Sequence, residues 1–366
     1  MASVLQLSPI PFADHAVVGG GERYPTELSR ALARYVPTTL VSFADRMSVR
    51  REGNLTLKLY PVIRYVDGKR VNPLSPWFLM DLPSHQVVHC HQYQTLMTNM
   101  AVMFGGWLRK GTFATDHGGG GKNYSRRLRI GDRLTRFLPV SRFSATLFPN
   151  LSERTTLIGS GIDPERFKPV EVDRQRSVVY VGRIMPHKGI DFLIQAVQPD
   201  TPLQVIGRVY HERYFQHLQT LAEGKQVSFI TNAGDADIVL AYSTASVAVL
   251  PSVYRAWDGV AHKQPELLGI SLLEAMACET PAICTDVGGM PEAVVEGTTG
   301  YVVPPGDAET LADRLYRLLD HPAMARDMGK AARQHVLENW TWDRVARRCL
   351  EAYAAAGSST IPCPGR

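Results

Sequence analysis

The chain has 366 residues, 45% of them hydrophobic and 20% charged, which is apolar enough to supply two domain-sized cores and excludes a disordered or fibrous chain. No run approaches the about 20 apolar residues that span a bilayer, and Met1-Ala2-Ser3-Val4-Leu5-Gln6 has neither a basic flank nor a long apolar segment, so a cytoplasmic protein is expected. The formal charge of +5 divides unevenly, with 21 Lys and Arg against 12 Asp and Glu in residues 1–167 and 19 against 23 in residues 168–366.

The first half alternates strands and helices. Val4-Leu5-Gln6-Leu7 is a short apolar strand, Gly19-Gly20-Gly21 is a loop, and a helix is predicted from about Glu22 to Tyr35. Thr38–Phe43 is the next strand, and further strands are expected at Gln86–His89, Gly111–Thr115 and Arg136–Val140. Between Lys122 and Arg142, Arg126, Arg127, Arg129, Arg133 and Arg136 recur near helical spacing as a basic stripe. The pattern restarts after Pro164 and Pro169 with a strand at Ser177–Val181 and a helix near Gly189 to Val197. Strands follow at Leu203–Ile206, Val227–Ile230, Val247–Leu250 and Ala282–Thr285. The expected architecture is α/β, with two doubly wound parallel-sheet domains that face a shared cleft. The five cysteines, Cys90, Cys278, Cys284, Cys349 and Cys363, have no CxxC spacing and predict neither a disulfide framework nor a zinc site.

The chemistry-bearing residues cluster just after predicted strands. Gly20 and Gly21 let backbone N–H groups approach a phosphate at a helix start, although the spacing matches neither GxGxxG nor a P-loop. His89 and His91 end one strand, and His117, flanked by glycines, ends another; a polar contact to a sugar hydroxyl suits His117, and no metal is expected. Arg183 and Lys188 put a guanidinium fork and a point charge on one loop, a set that suits a diphosphate. Glu266 and Glu274 flank Gly269-Ile270-Ser271, so one carboxylate lies in a glycine-containing loop and the other is expected on the first turn of the next helix. Two carboxylates can each hold a diol of a sugar nucleotide. Ser271-Leu272-Leu273-Glu274 also fits a capping box, in which Glu274 only ties down its own helix.

Assembled in this order, the motifs resemble a family 4 retaining glycosyltransferase of the GT-B fold. The resemblance runs from Gly20-Gly21-Glu22 through Val88-His89-Cys90-His91, Gly182-Arg183, Lys188-Gly189 and Leu250-Pro251-Ser252 to the Glu266–Glu274 segment and Gly288-Gly289-Met290-Pro291-Glu292. It implies an acceptor-binding domain over residues 1–168, completed by a crossover helix at about 340–356. It further implies a nucleotide-sugar domain over 169–339 and a tail at 357–366. By resemblance, Arg183 and Lys188 bind the donor diphosphate, Glu274 the ribose and Glu266 the sugar hydroxyls. Gly269, Ile270 and Ser271 hold sugar and phosphate, Gly20 or Gly21 touches the diphosphate, and His117 contacts the sugar near the reaction centre. His89, His91 and Lys122 are acceptor-side candidates. No cofactor is implied: the donor is a nucleotide-diphosphate sugar, and cations with a helix N-terminus stabilise the leaving group in place of a metal. Leu268 departs from a frequent Phe, Glu279 from a usual Gly and Ser160 from a common Asn.

The expected reaction is retaining transfer of a hexose or amino-hexose to a hydroxyl of a small soluble acceptor, such as an aminocyclitol, polyol or natural product. The alternative is action at the membrane on a lipid-linked or polysaccharide precursor, with peripheral contact through the basic first half. A nucleotide-sugar epimerase stands behind both. No nucleic-acid partner is expected, and no motif sets an oligomeric state.

Overall fold

Two parallel sheets organise the chain in a computed structural model that describes residues 3–10, 20–118, 124–263 and 266–357. The first sheet begins with β1 (Val4–Leu7), buried along its whole length, and α1 (Gly20–Ala33) follows. Gly20 and Gly21 thus open the helix instead of ending the loop before it. Next come β2 (Thr38–Ala44), β3 (Ser48–Glu52), β4 (Leu55–Pro61), and the short pair β5 (Arg64–Tyr65) and β6 (Pro73–Leu74). Then follow β7 (Val87–His91), α2 (Leu96–Trp107) and β8 (Gly111–Thr115). The segment ends with α3 (Tyr124–Arg127), α4 (Ile130–Arg133), β9 (Arg136–Phe137) and α5 (Arg142–Thr146).

The strand order is β3-β4-β2-β1-β7-β8-β9, parallel except for β3, which pairs antiparallel to β4 at the edge. All five residues of β3, including Arg50 and Arg51, are exposed, and their charge blunts the open edge against pairing with another chain. The basic stripe does not form one helix face. Arg129 takes a left-handed φ of 49° between α3 and α4, splitting the run, and its guanidinium is paired to Asp132 at 2.6 Å.

The second sheet is built from β10 (Gln175–Val181), α6 (Ile190–Ala196), β11 (Leu203–Ile206), α7 (Glu212–Leu221), β12 (Val227–Ile230), α8 (Asp235–Thr244) and β13 (Ala245–Leu250). It continues with α9 (Ile270–Ala277), β14 (Ala282–Thr285), β15 (Gly300–Val303), α10 (Ala308–Leu319) and α11 (Pro322–Asn339). Its order, β12-β11-β10-β13-β14-β15, is parallel throughout. Every residue of β13 is buried, as expected for a central parallel strand covered on both faces.

The last helix, α12 (Trp342–Ala355), belongs with the first sheet. The chain accordingly divides into Met1–Ser160 with Trp342–Arg366, and Gly161–Thr341. The division falls earlier than residue 168 because Ile162 already bonds with the second unit, its N–H donating to the Trp340 carbonyl at 2.8 Å. Tyr24 of α1 meets Trp342 edge to face with ring centroids 4.9 Å apart, and the Tyr35 hydroxyl donates to Asp343 at 2.5 Å, so α12 is stapled to α1 by rings and a hydrogen bond.

Each sheet reverses its strand order beside its first strand, between β1 and β7 in one unit and between β10 and β13 in the other. Ligands of open α/β sheets bind at the carboxyl ends of strands flanking such a reversal. His89 and His91 lie at the carboxyl end of β7 and His117 in the loop after β8, while the loops after β10 and β13 carry the cations and Glu266.

Candidate functional site

In the second unit, β10 delivers the chain into the loop that holds Arg183 and then into a tight turn, Pro186–Lys188. Lys188 is buried, and its ammonium donates to Glu266 Oε1, which also accepts from Ser252 Oγ at 2.9 Å. Burial by itself would raise the Glu266 pKa, but the Lys188 charge and the hydrogen bonds from Lys188 and Ser252 outweigh it and hold the carboxylate below its ordinary range. Gly288, at φ +60°, brings its backbone against this segment, and a Cβ there would lie 1.9 Å from the Glu266 carbonyl oxygen. Only glycine suits that contact.

Around this pair stand further polar groups. His187 is pushed down to about 4, first by burial and then by the adjacent Lys188 charge. Its ring lies 5.0 Å from that of His262, whose Nε2 is buried without a hydrogen-bond partner among the described residues. Tyr254 accepts at its hydroxyl from the Gly288 N–H at 2.9 Å, which ties the segment after β13 to the Gly288 loop. Arg183 is exposed, with its guanidinium 5.9 Å from the centre of the Tyr210 ring, and its carbonyl accepts from the Tyr180 hydroxyl at 2.9 Å. The charges of both Glu266 and Arg183 act on the buried Tyr180 phenol, the first raising and the second lowering its pKa.

Helix α9 starts at Ile270 with Gly269, at φ +85°, as its N-cap, and no side chain caps it. The capping-box reading of Ser271 and Glu274 therefore fails: Ser271 is inside the helix and its carbonyl accepts from Tyr242 at 3.0 Å. Glu274 falls on the second turn, not the first, because the helix begins one residue before Ser271. The uncapped N-terminus with Ile270 and Ser271 presents the positive end of the helix dipole next to the Glu266 segment.

In the first unit the carboxyl ends of β7 and β8 hold His89, His91 and His117. His89 and His91 are wholly buried, their rings stacked 4.7 Å apart, and His91 stacks on His117 at 5.5 Å. Burial, followed by the neighbouring His117, lowers His89 to about 3; burial lowers His117 to about 4 and, with His89 and His117, takes His91 well below its ordinary value. All three are neutral near pH 7. Tyr24 covers the His117 ring at 4.6 Å between centroids, and its hydroxyl donates to the Gly159 carbonyl at 2.7 Å. Gly118 donates its N–H to Asp116 at 2.8 Å, fixing the turn that aims His117.

Two family models divide the chain between them: "Glycosyltransferase Family 4" matches residues 18–170, and "Glycosyl transferases group 1" matches residues 161–335. The chain belongs to glycosyltransferase family 4. A GDP-mannose-dependent alpha-(1-6)-phosphatidylinositol monomannoside mannosyltransferase of Mycolicibacterium smegmatis is 31% identical to this family 4 chain over 244 residues, 61% of the chain and 63% of the relative. A D-inositol 3-phosphate glycosyltransferase of an Arthrobacter species is 33% identical over 257 residues, 63% of the chain and 58% of the relative. The chain thus spans between half and two thirds of the length of the curated relatives it matches. Among solved structures, Anabaena HepE in complex with UDP and glucose superposes with a TM-score of 0.76 at 15% identity, covering 97% of this chain and 100% of that one. Sucrose-phosphate synthase from Thermosynechococcus elongatus superposes with a TM-score of 0.73 at 22% identity, covering 98% and 100%. The fold is GT-B.

Of the residues singled out in the sequence, the second unit of this family 4 chain gathers Lys188, Glu266, Gly269, Ile270 and Ser271, with Arg183 and Glu274 at the margin through Tyr180 and Tyr242. The first unit gathers His89, His91 and His117. His89 and His91 are sealed inside the unit, so the acceptor-side role expected of them has no exposed group to act through. Lys122 and Gly19 lie outside the described residues. Sequence reading passed over Gln6, Tyr24, Tyr353 and His187; Gln6 alone carried a signal, as the one polar residue in an otherwise apolar strand.

Proposed function

We propose that this chain is a retaining glycosyltransferase that moves a hexose or amino-hexose from a nucleotide-diphosphate sugar to an acceptor hydroxyl without a metal ion. The observation that carries the reading is the Lys188–Glu266–Ser252 cluster at the strand-order reversal of the second unit, beside the uncapped start of α9. A buried ammonium and a helix N-terminus together favour a diphosphate leaving group, which gains negative charge as the sugar departs. Arg183 adds a fork for a second phosphate oxygen. Glu266, kept ionised by Lys188, accepts from sugar hydroxyls, and Glu274 accepts from the ribose. Gly20 and Gly21, first residues of α1, are assigned to the diphosphate, and His117 to the transferred sugar. Similarity to relatives whose names specify GDP-mannose, and to a structure that holds UDP and glucose, supports a sugar-nucleotide donor.

A thermal-shift screen across UDP, GDP, ADP and TDP sugars, followed by product detection with the stabilising donor, tests the reading. Stabilisation by one donor class together with consumption that requires an acceptor is expected. No shift with any of them, or conversion of the donor to an epimer without an acceptor, would overturn it.

A surface feature favours a second reading of the acceptor, a lipid-linked one met at a membrane. Helix α2 exposes Met103, Phe104 and Trp107, the last at 80%, and the turn Trp77–Ser84 packed against it exposes Trp77 and Met80. Exposed Arg109 follows directly. An apolar helix face beside an exposed basic residue is thus present. The relatives include a mannosyltransferase named for a phosphatidylinositol monomannoside and a glycosyltransferase named for D-inositol 3-phosphate, so similarity serves both. Flotation with vesicles containing anionic lipid separates them: binding abolished by Trp107→Ser selects the membrane, and no binding selects the small polyol.

A further inference from the structure

Gln6, Thr115, His89, His91, His117 and Tyr353 form one continuous line of hydrogen bonds through the first unit. His117 Nε2 lies 3.2 Å from His91 Nδ1, His91 Nε2 lies 2.6 Å from Gln6 Oε1, and Gln6 Nε2 donates to the Tyr353 hydroxyl at 3.3 Å. The Tyr353 oxygen is 2.7 Å from His89 Nδ1, His89 Nε2 is 2.8 Å from Thr115 Oγ1, and Thr115 donates to the Leu138 carbonyl at 2.7 Å.

The direction of this line is determined at its inner end. A backbone carbonyl only accepts, so the Thr115 hydroxyl proton is committed to Leu138 and Thr115 must accept from His89. His89 therefore carries its proton on Nε2, and its Nδ1 accepts from Tyr353. The Tyr353 oxygen then accepts from the Gln6 amide, which turns the Gln6 carbonyl toward His91. His91 must donate from Nε2, and its bare Nδ1 accepts from His117 Nε2. The reverse orientation of Gln6 would oppose lone pairs at Thr115 and His89, inside a core where a buried unmatched polar group is costly.

We propose that this line, anchored on the Leu138 carbonyl and passing through Tyr353 of the last helix, positions His117 by holding it as the tautomer with Nε2 protonated and Nδ1 a bare acceptor for a ligand hydroxyl. Gln6, His89, His91, Thr115 and Tyr353 are positioning residues on this account. The depressed pKa values of the three rings agree, since each stays neutral and so able to hold a single tautomer. That the hydroxyl belongs to the transferred sugar rests on the glycosyl-transfer reading above.

Gln6→Glu is the discriminating variant. A carboxylate accepts at both oxygens, so it favours a doubly protonated His91, which then donates from Nδ1 to His117 Nε2 and moves the His117 proton to Nδ1. Two-bond proton–nitrogen correlation spectra of the ¹⁵N-histidine-labelled full chain read the tautomers directly, with His117→Gln assigning the resonance. The expected wild-type spectrum has pyridine-like Nδ1 on His89, His91 and His117. In Gln6→Glu the His117 Nδ1 becomes pyrrole-like, and turnover with the donor found above falls about tenfold with KM for the donor little changed. Thr115→Val, which keeps shape and deletes the anchor, is expected to give a mixture of both His117 tautomers, and serves where the carboxylate at position 6 prevents folding. A His117 that keeps protonated Nε2 in both variants, or a wild-type His117 protonated on Nδ1, overturns the line. A tautomer switch without loss of turnover overturns only the sugar contact, and the absence of any donor turnover in the wild type counts against the transfer reading while the tautomer spectra still decide the line.

Discussion

The two units carry the same kind of site, polar side chains at a strand-order reversal, but solve the burial of those groups in opposite ways. The second unit buries charge and cancels it, Lys188 against Glu266 with Ser252 completing the set. The first holds three neutral imidazoles, those of His89 and His91 wholly buried, in a directional line of hydrogen bonds. A charged pair resists loss of either member, because the survivor is left as an uncompensated ion. A neutral line tolerates the loss of a link better and is sensitive instead to which way each proton points.

The largest test of this contrast is removal of one charge. Lys188→Ala and Glu266→Ala are each expected to lower kcat by about 10²–10³-fold, read with saturating donor. Lys188→Ala is also expected to destabilise the fold by about 3–5 kcal/mol, because it strands the Glu266 carboxylate. The double variant Lys188→Met with Glu266→Leu should recover most of that stability while remaining inactive. A single variant with wild-type turnover would break the assignment.

Acid pH should divide the units next. His89 and His117 have folded pKa values near 3 and 4, below the ordinary 6.5, so the unfolded chain binds protons first as pH falls. The stability they contribute is complete above about pH 6.5 and is lost as pH falls toward those folded values, on the order of 2 kcal/mol per buried histidine by about pH 5. His187 acts in the same direction in the second unit. Glu266, held below its ordinary 4.5, keeps its contribution until pH falls through its lowered value. Hydrogen exchange should therefore show β7 and β8 losing protection at a higher pH than β10 and β13. Equal loss in both would remove the contrast.

Smaller effects sharpen it within the second unit. Glu274→Ala should weaken nucleotide binding about tenfold in calorimetry with less change in kcat, as expected of a group that holds ribose away from the reacting bond. Glu279→Gly should stabilise the unit by about 1 kcal/mol in thermal or urea unfolding. Glu279 follows α9 at φ +59°, a conformation that suits glycine, and its carbonyl accepts from Arg174 at 2.7 Å, a bond the substitution keeps.

Much of this was legible in the residues because the signals are local. Strands such as Gly111–Thr115, Leu203–Ile206 and Ala282–Thr285 read directly as short β-rich runs bounded by turn residues, and the structure has them at those bounds. The β3–β4 hairpin was not legible, since Ser48–Glu52 has no buried face to give it a period. The capping-box reading of Glu274 failed for a related reason: four residues fit the motif, but the left-handed Gly269 starts the helix before Ser271 can cap it. The line through Gln6, His89 and Tyr353 was invisible for another reason, because its members stand up to 347 positions apart and meet only once β1, β7 and α12 are in place. Ser160, where the family has asparagine, is buried with no partner for its hydroxyl among the described residues, a departure whose effect only the fold reveals.

The return of α12 to the first sheet sets an order for vectorial synthesis. Gln6 and His89 leave the ribosome well before the phenol that satisfies them, since Tyr353 is made after the whole of Gly161–Thr341. Until α12 is made, Tyr24 of α1 lacks Trp342, and the Gln6 amide and the His89 imidazole lack the Tyr353 hydroxyl. The second unit, contiguous in the chain, can close first, and the first unit is completed only once α12 has been translated.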